Sequence, residues 1–585
     1  MDQEQRKLAE ELFFSGPKTT SFAKLLYFGI FDASRVFPYP APSSDEAERT
    51  EELVRNLDCF LQSEVDPDWI DRNATIPDRV IAGLGKLGLM GLTIPKEYGG
   101  LGMSQYAYCR AMERVAARCG STALMINAHQ SIGLKALVLY GTEEQKARWL
   151  PPLARGEQLA AFSLTEPNAG SDVASIETEA VYDPARKLYR ITGRKQWTTN
   201  GAIAGVLTVM AKTTVQTASG SAKKVTAFLV TPDMPGFRVL NPALEKVGMR
   251  GTKTANLAFE GLEVPASHIL GPPGQGLRIC LTVLDFGRTT FGATCTGASK
   301  FLLRQAVEYS RRRRQFGRPL ASFALVKQKI ANMAALVYAM ESMTYLTAGM
   351  IDANAEDFML EAAILKVFAS DALWSIVYDT MQIFGGRSFF TDLPYERMMR
   401  DARLNMIGEG SNEVMRAFIG AAGMRDPGVQ LEQVLKATRH PLANASFLWG
   451  FGRQNLARLR TPVVPVRSRL LKPEARMLAA RVRRFGISVV RVLAKYQEEV
   501  VERQMILDRI ASSAMALYGA TAVMARLDRD LAGQDSAPDF LKKDLAAGRL
   551  FCRQAFAIVD RSLGSLFRNE DDSIERVSNM LSGVA

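Results

Sequence analysis

Apolar and polar positions alternate in two different rhythms along this chain, and the places where the rhythm changes divide it. Through "SSDEAERTEELVRNLDCFLQSEV" (43–65) apolar residues recur at helical spacing behind a cluster of capping residues. The same spacing continues through "QYAYCRAMERVAARC" and "QSIGLKALVLYGTEEQKARWLPPLA". From about 161 the pattern shortens. "KLYRITGRKQWTTNG", "GVLTVMAKT", "KVTAFLV" and "TANLAFEGLEV" are β-rich runs punctuated by Gly, Pro, Asp and Asn, which predicts a β-domain. The helical period returns at "GQGLRICLTVLDFGRTTFGATCTG" and holds to about 423, where "MRDPGVQ" reads as a linker. The expected layout is an N-terminal extension (1–42), a helical domain (43–160), a middle β-domain (161–274), a second helical domain (275–425) and a helical extension (430–585).

Composition narrows the class. At 585 residues the chain has room for roughly three or four domains. Hydrophobic residues make up 47%, too many for a disordered chain. The formal charge of +12 favours an anionic partner: a membrane surface, nucleic acid or a phosphate-bearing ligand. Cys59, Cys109, Cys119, Cys280, Cys295 and Cys552 are scattered without metal spacing, so buried thiols in a reducing compartment are expected and no metal site. With only His129, His268 and His440 available, acid–base chemistry falls to carboxylates.

The glycine-rich "GLGKLG" (83–88) fits a dinucleotide fingerprint by letter, but it runs into Pro95 and Gly99-Gly100 with no room for the helix such a site needs. It reads instead as a helix end. Stronger candidates lie elsewhere. "AFSLTEPNAGSDVASIETEA" (161–180) crowds small and hydroxyl residues around Pro167 and Gly170, either an ordinary turn or an anion-facing loop. "GRKQWTTNG" (193–201) sets a tryptophan among hydroxyls, a core residue or a stacking surface. "YSRRRRQFGRPL" (309–320) is a solvated cationic face or a pyrophosphate grip. "MQIFGGRSFF" (381–390) stops a helix or lets a ligand approach the backbone. "LNMIGEGSNEVMR" (404–416) places Glu409 between two glycines just ahead of a helix start.

Taken in order, these segments resemble the acyl-CoA dehydrogenase family. "VFPYPAP", "AHQSIGLKALVLYGTEEQKARWLPPLARGE" and the long C-terminal extension resemble its very-long-chain branch. The resemblance implies a mainly α protein with a central β-barrel domain between helical domains, plus an extra helical C-terminal domain. It implies FAD as cofactor and α,β-dehydrogenation of long- or very-long-chain acyl-CoA to trans-2-enoyl-CoA, with electrons passed to electron-transferring flavoprotein. Glu409 matches the base that takes the α-proton, and Gly408 and Gly410 would let the thioester approach it. Gly408 stands where the family usually carries an aromatic residue.

For FAD, the family pattern maps onto Phe162, Ser163, Leu164, Thr165 and Ser171, with Trp197, Thr198 and Thr199 along the ring. Arg313, Gln315 and Phe316, then Gln382, Ile383, Phe384, Gly385 and Gly386, match residues reaching the FAD of a neighbouring subunit, which implies a homodimer or higher even oligomer. Ser411 and Glu413 match further FAD contacts. Ser171, Asp285 and Arg288 match substrate contacts, although an i,i+3 pair also suits a plain surface ion pair. Small residues at Gly120-Ser121-Thr122-Ala123, where the pocket floor falls, favour long chains.

The extension carries ten Lys/Arg against one acid between Arg453 and Arg484. "NASFLWGFGRQNLARLRTPVVPVRSRLLKPEARMLAARVRR" (444–484) has the composition of an interfacial membrane segment, or of basic helices packed on the dimer. No nucleic-acid reader motif is present. The charged N-terminus is no signal peptide and no spanning helix is expected, so a bacterial cytoplasm with inner-membrane contact is the simplest location, with a processed mitochondrial form left open. Two alternatives remain at this stage: an acyl-CoA oxidase that uses oxygen, or a scaffold that retains the flavin site.

Overall fold

The computed structural model describes residues 20–217, 220–437, 449 and 460–583. Two compact units divide them, and the division does not follow chain order. One holds Ala41–Ala355 and Phe368–Ser411; the other holds 20–40, Glu356–Val367 and 412–583. The expected block 275–425 is therefore split between them.

In the first unit, α1 (Ser44–Glu64) starts where the sequence pattern places it, because the Ser43 side chain accepts the Glu46 N–H and closes the first turn. The glycine-rich 83–88 segment ends helix α2 (Asp78–Lys86), with Gly88 left-handed at φ 74°. Helices α3 (Gln105–Arg118) and α4 (Gly120–Asn127) lead into a π-helical turn at Ala128–Leu134. His129, on that turn, is fully buried and fixed from both sides. It accepts the Ala160 N–H at Nδ1 (2.9 Å) and faces the Met90 carbonyl with Nε2 (3.0 Å), and burial pushes its pKa down to about 4. It is a neutral structural histidine.

The β-domain is one sheet of eight strands: β1 (Leu159–Ser163), β2 (Glu179–Asp183), β3 (Leu188–Thr199), β4 (Ala204–Thr217), β5 (Gly220–Val230), β6 (Phe237–Asn241), β7 (Thr254–Pro265) and β8 (Ile269–Leu270). Their order is β6-β7-β3-β2-β4-β5-β8, with β1 paired parallel to β4. Among the described residues the ladder does not close from β6 to β8. It wraps nonetheless, since Phe237 of β6 and Ile269 of β8 pack on the same core as Leu207, Phe228 and Phe259. The alternate residues Phe162, Val206 and Leu229 point the other way, into a second core shared with Leu137, Trp149 and Leu153. A sheet buried on both faces is why these strands read as apolar runs rather than clean alternation.

Past the sheet, α5 (Gly276–Arg312) runs 37 residues, about 55 Å at helical rise. It packs against α3 and against α6 (Ala324–Asp352). Helix α7 (Met359–Phe384) and α8 (Tyr395–Asn405) follow.

The second unit corrects one expectation. "MRDPGVQ" is not a linker: Pro427 lies inside α9 (Asn412–Ala437). That helix packs on α10 (Lys472–Tyr496) and α11 (Gln504–Leu531), and tertiary burial outweighs the local cost of the proline. Helix α11 is long and apolar enough to cross a membrane, yet 89% of its apolar window is buried within the structure, as in a core helix. Of the proposed interfacial segment, Phe447, Leu448 and Phe451 lie outside the described residues. Its later part belongs to the packed α10, where Arg481 and Arg484 both bond Asp560. All six cysteines are free thiols, five of them buried.

Candidate active site

Glu409 sits in the turn that follows α8, with φ at 56°. A left-handed glutamate costs on the order of 1–3 kcal/mol and persists only where the surroundings hold it. Three features hold it here. Gly408 N–H donates to the Leu404 carbonyl (2.9 Å), Gly410 takes φ 101°, and Arg288 Nε donates to the Glu409 carbonyl (3.3 Å). Arg288 is in turn aimed by Asp285, one helical turn earlier on α5, through a 3.0 Å ion pair. Both are buried. The pair expected on the substrate's CoA arm thus acts first as the brace of the base turn.

Opposite the carboxylate stands Gly287. A Cβ there would lie 2.5 Å from Glu409 Oε2, closer than any real contact, so only glycine lets this side chain seat against α5. Gly408 differs. Its φ is not left-handed, and a Cβ on it would meet nothing nearer than 3.6 Å. Neither backbone nor crowding requires glycine at 408; its effect is to leave space beside the base.

The second cluster surrounds the β1–β2 loop. Lys195 and Glu166 form a fully buried pair at 2.6 Å. Glu166 also accepts the Glu177 N–H (2.5 Å) and the Thr178 N–H (3.1 Å), so one carboxylate pins both ends of the loop to β3. Burial pushes the Glu166 carboxyl up, but the Lys195 charge and these hydrogen bonds outweigh it and leave the group below its ordinary range. Burial pushes Lys195 down to about 8 against the pull of Glu166.

Just beyond Lys195 the β3–β7 register slips, and Trp197 (φ 59°) is turned outward with 62% of its surface exposed. Thr165 borders this bulge, its carbonyl accepting the Gln196 N–H (2.9 Å), while Thr199 is half-buried and Gly170 and Ser171 are exposed. A tryptophan held outward on a strained bulge among hydroxyls is costly unless a flat ring with polar edges covers it, so the residues present fit a flavin.

Several of the residues expected at FAD have side chains or carbonyls engaged within the protein. Ser163 and Thr198 are buried and spend their hydroxyls on each other (3.0 Å). Phe162 faces the core. Leu164 gives its carbonyl to Lys195 (2.9 Å). Ile383 and Phe384 are turned inward, and Phe384 stacks on Tyr309 at 4.0 Å. Their side chains pack within the protein, while Gln382, Gly385 and Gly386 of the same segment stay open. Arg313, Gln315 and Phe316 lie on a small exposed hairpin, with Phe316 93% exposed. Ser411 is half-buried at the end of the base turn, while Glu413 is exposed at the start of the second unit.

A partly open cleft lies one helical turn from the base on two elements. Phe291 follows Gly287 by four residues, and Asn405 precedes Glu409 by four. Phe291, Thr294 and Ala298 continue the Gly287 face of α5 along the cleft, about 16 Å in all. Gly120 and Ala123 line it from α4. Ser121 and Thr122 do not: Ser121 Oγ accepts the Gly251 N–H instead (3.1 Å). Beside the cleft, Tyr108, Asn127, Ser131 and Thr290 form a buried hydrogen-bonded chain that ties α3, α4 and the π-turn to α5.

Sequence reasoning missed Gly287, the Lys195–Glu166 pair and this polar chain. Each joins residues distant in sequence, and none carries a local motif.

The sequence matches the N-terminal domain of acyl-CoA dehydrogenases over 46–157, the middle domain over 161–262 and the C-terminal domain over 274–424. Residues 469–583 match the ACAD9/ACADV C-terminal domain. Among curated proteins, it is 35% identical over 542 residues to the mitochondrial very long-chain specific acyl-CoA dehydrogenase of Macaca fascicularis, covering 91% of this chain and 83% of that protein. It is 34% identical over 604 residues to the probable acyl-CoA dehydrogenase FadE10 of Mycobacterium tuberculosis, covering 99% and 91%. Among solved structures, an acyl-CoA dehydrogenase complexed with FAD from Bacillus anthracis superposes with a TM-score of 0.78 at 28% identity, covering 92% and 90%. Butyryl-CoA dehydrogenase from Megasphaera elsdenii gives 0.61 at 32%, covering 66% and 98%.

Proposed function

This chain belongs to the acyl-CoA dehydrogenase family, a group of FAD-dependent oxidoreductases, and on that premise we propose that it converts long-chain acyl-CoA to trans-2-enoyl-CoA and passes the electrons to an electron-transferring flavoprotein. FAD, when bound, accepts the β-hydrogen as hydride. The chain's own residues do the rest. Glu409 takes the α-proton at its carboxylate, and its backbone N–H polarises the thioester carbonyl, which acidifies that proton. Arg288 holds the turn in place, and Gly287 admits the carboxylate. Trp197 and Thr199 would hold the flavin ring, and Ser171 would meet the CoA.

The observation that carries this reading is a half-buried glutamate on left-handed backbone, seated against a glycine one turn from a cleft. Long chains are supported by the small residues Gly120, Ala123 and Ala298 along that cleft, and by the very-long-chain specificity in the name of the macaque relative. The exposed Arg313–Phe316 hairpin supports a second subunit whose FAD it would reach, hence a homodimer. The basic composition of 444–484 supports peripheral contact with an anionic inner-membrane surface.

The test is anaerobic. Palmitoyl-CoA added to the purified holoprotein should bleach the visible flavin band, and Glu409→Gln should leave it unbleached. A bound flavin that no acyl-CoA reduces would overturn the proposal.

A further inference from the structure

Two carboxamides face the cleft with hydrogen-bonding capacity unspent. Asn405, on the last turn of α8, is 5% exposed and its side chain has no partner among the described residues. Asn127, at the end of α4, is 2% exposed. Its Oδ1 accepts from Tyr108 (3.1 Å) and Ser131 (3.4 Å), while its NH2 group has no partner among the described residues. Neither side chain is sealed into the protein, so the open atoms look into the cleft they line. The charged groups around the same cleft behave differently. Arg118 donates to the Val65 carbonyl, Arg397 pairs with Asp68, and Asp401 accepts the Met249 N–H. Each of these charged groups already has a protein partner, whereas the two asparagines are the uncharged polar groups with carboxamide atoms left to meet what enters.

A plain alkyl chain lying there would strip water from both carboxamides and return nothing, which is the costly arrangement for a buried polar group. We infer that the cleft is built for an acyl chain carrying a hydroxyl on a mid-chain carbon, bound between the Asn405 carboxamide and the Asn127 NH2. Asn405 offers both donor and acceptor and Asn127 a donor, which suits an alcohol oxygen. The position follows from the elements. Asn405 precedes the base by one turn, and Asn127 is linked through Tyr108 and Ser131 to Thr290, one turn along α5 from Gly287. Both therefore act about 5–10 Å down the cleft from the reacting carbons, several carbons beyond the thioester. The inference rests on the acyl-CoA reading above and names the substrate class within it.

The experiment uses the Glu409→Gln holoenzyme, which binds without turnover, and reads dissociation constants by titration calorimetry. The probes are hexadecanoyl-CoA and its analogues with one hydroxyl at C6, C8 or C10. At least one hydroxylated chain should bind about tenfold more tightly than the plain one. Adding Asn405→Leu, or Asn405→Ala where leucine disturbs folding, should erase that preference while the plain chain binds as well or better. Equal or tighter binding of the plain chain than of every hydroxylated one overturns the inference and leaves the dehydrogenase reading intact. Failure to bind any of the four overturns the acyl-CoA reading itself.

Discussion

Two glutamates in loops of the same unit are held in opposite ways. Glu166 is gripped by its carboxylate, which receives a buried ammonium and two backbone N–H groups while its main chain turns back on Ala169. Glu409 is gripped by its main chain, through the Arg288 hydrogen bond and a left-handed φ, while its carboxylate is set against a residue with no side chain. The first arrangement fixes charge to stabilise a loop. The second fixes the position of the functional group through its backbone. What marks a reactive carboxylate is thus which part of the residue the fold restrains.

The contrast can be broken from either side. The largest effect falls on Glu409→Gln, which keeps the turn and removes the proton acceptor; flavin reduction should slow by about 10³–10⁴-fold with the fold unchanged, as stopped-flow under anaerobic conditions would read. Next comes Lys195→Met. It strands a buried carboxylate, so unfolding should cost about 3–5 kcal/mol less in chemical denaturation, while flavin reduction per folded molecule changes little. Gly287→Ala restrains the wrong end of Glu409. The new methyl displaces the carboxylate by an ångström or so, and the reduction rate should fall about 10²-fold with little change in acyl-CoA affinity.

The smallest effect comes from a third glutamate. Glu361, in the second unit, is buried beside Asp357 and accepts the Ala23 N–H (2.8 Å), and burial followed by the Asp357 charge raises its pKa from 4.5 to about 7. Because the folded value lies above the unfolded one, its protonated form favours the fold below about 4.5, and that contribution fades as pH rises toward 7. Melting temperature should therefore decline by a few degrees across this window in wild type, and the decline should flatten in Glu361→Gln.

The legible part of the molecule was what local pattern encodes. Helical spacing and Ser43 announced α1, and the apolar runs announced the sheet. The glycines around Glu409 marked an unusual backbone there, though only Gly410 needs its φ. The illegible part lay in long-range pairing. Nothing near Gly287 distinguishes it from any other helical glycine until a carboxylate 122 residues later arrives against it. Pro427 misled because a proline's local cost is visible in sequence and the burial that outweighs it is not. At Ile383 and Phe384 the packing was equally illegible: no local pattern shows that their side chains turn inward beside the open Gly385, Phe384 stacking on Tyr309.

The length of α5 has a use for anyone redesigning this protein. Gly287 sets reactivity at one point on the rod, and Phe291, Thr294 and Ala298 set reach at successive points further along it. Reach and reactivity are therefore separate dials on a single rigid part. A library confined to the later positions would explore which fatty chains fit without once reopening the question of whether the chemistry still works.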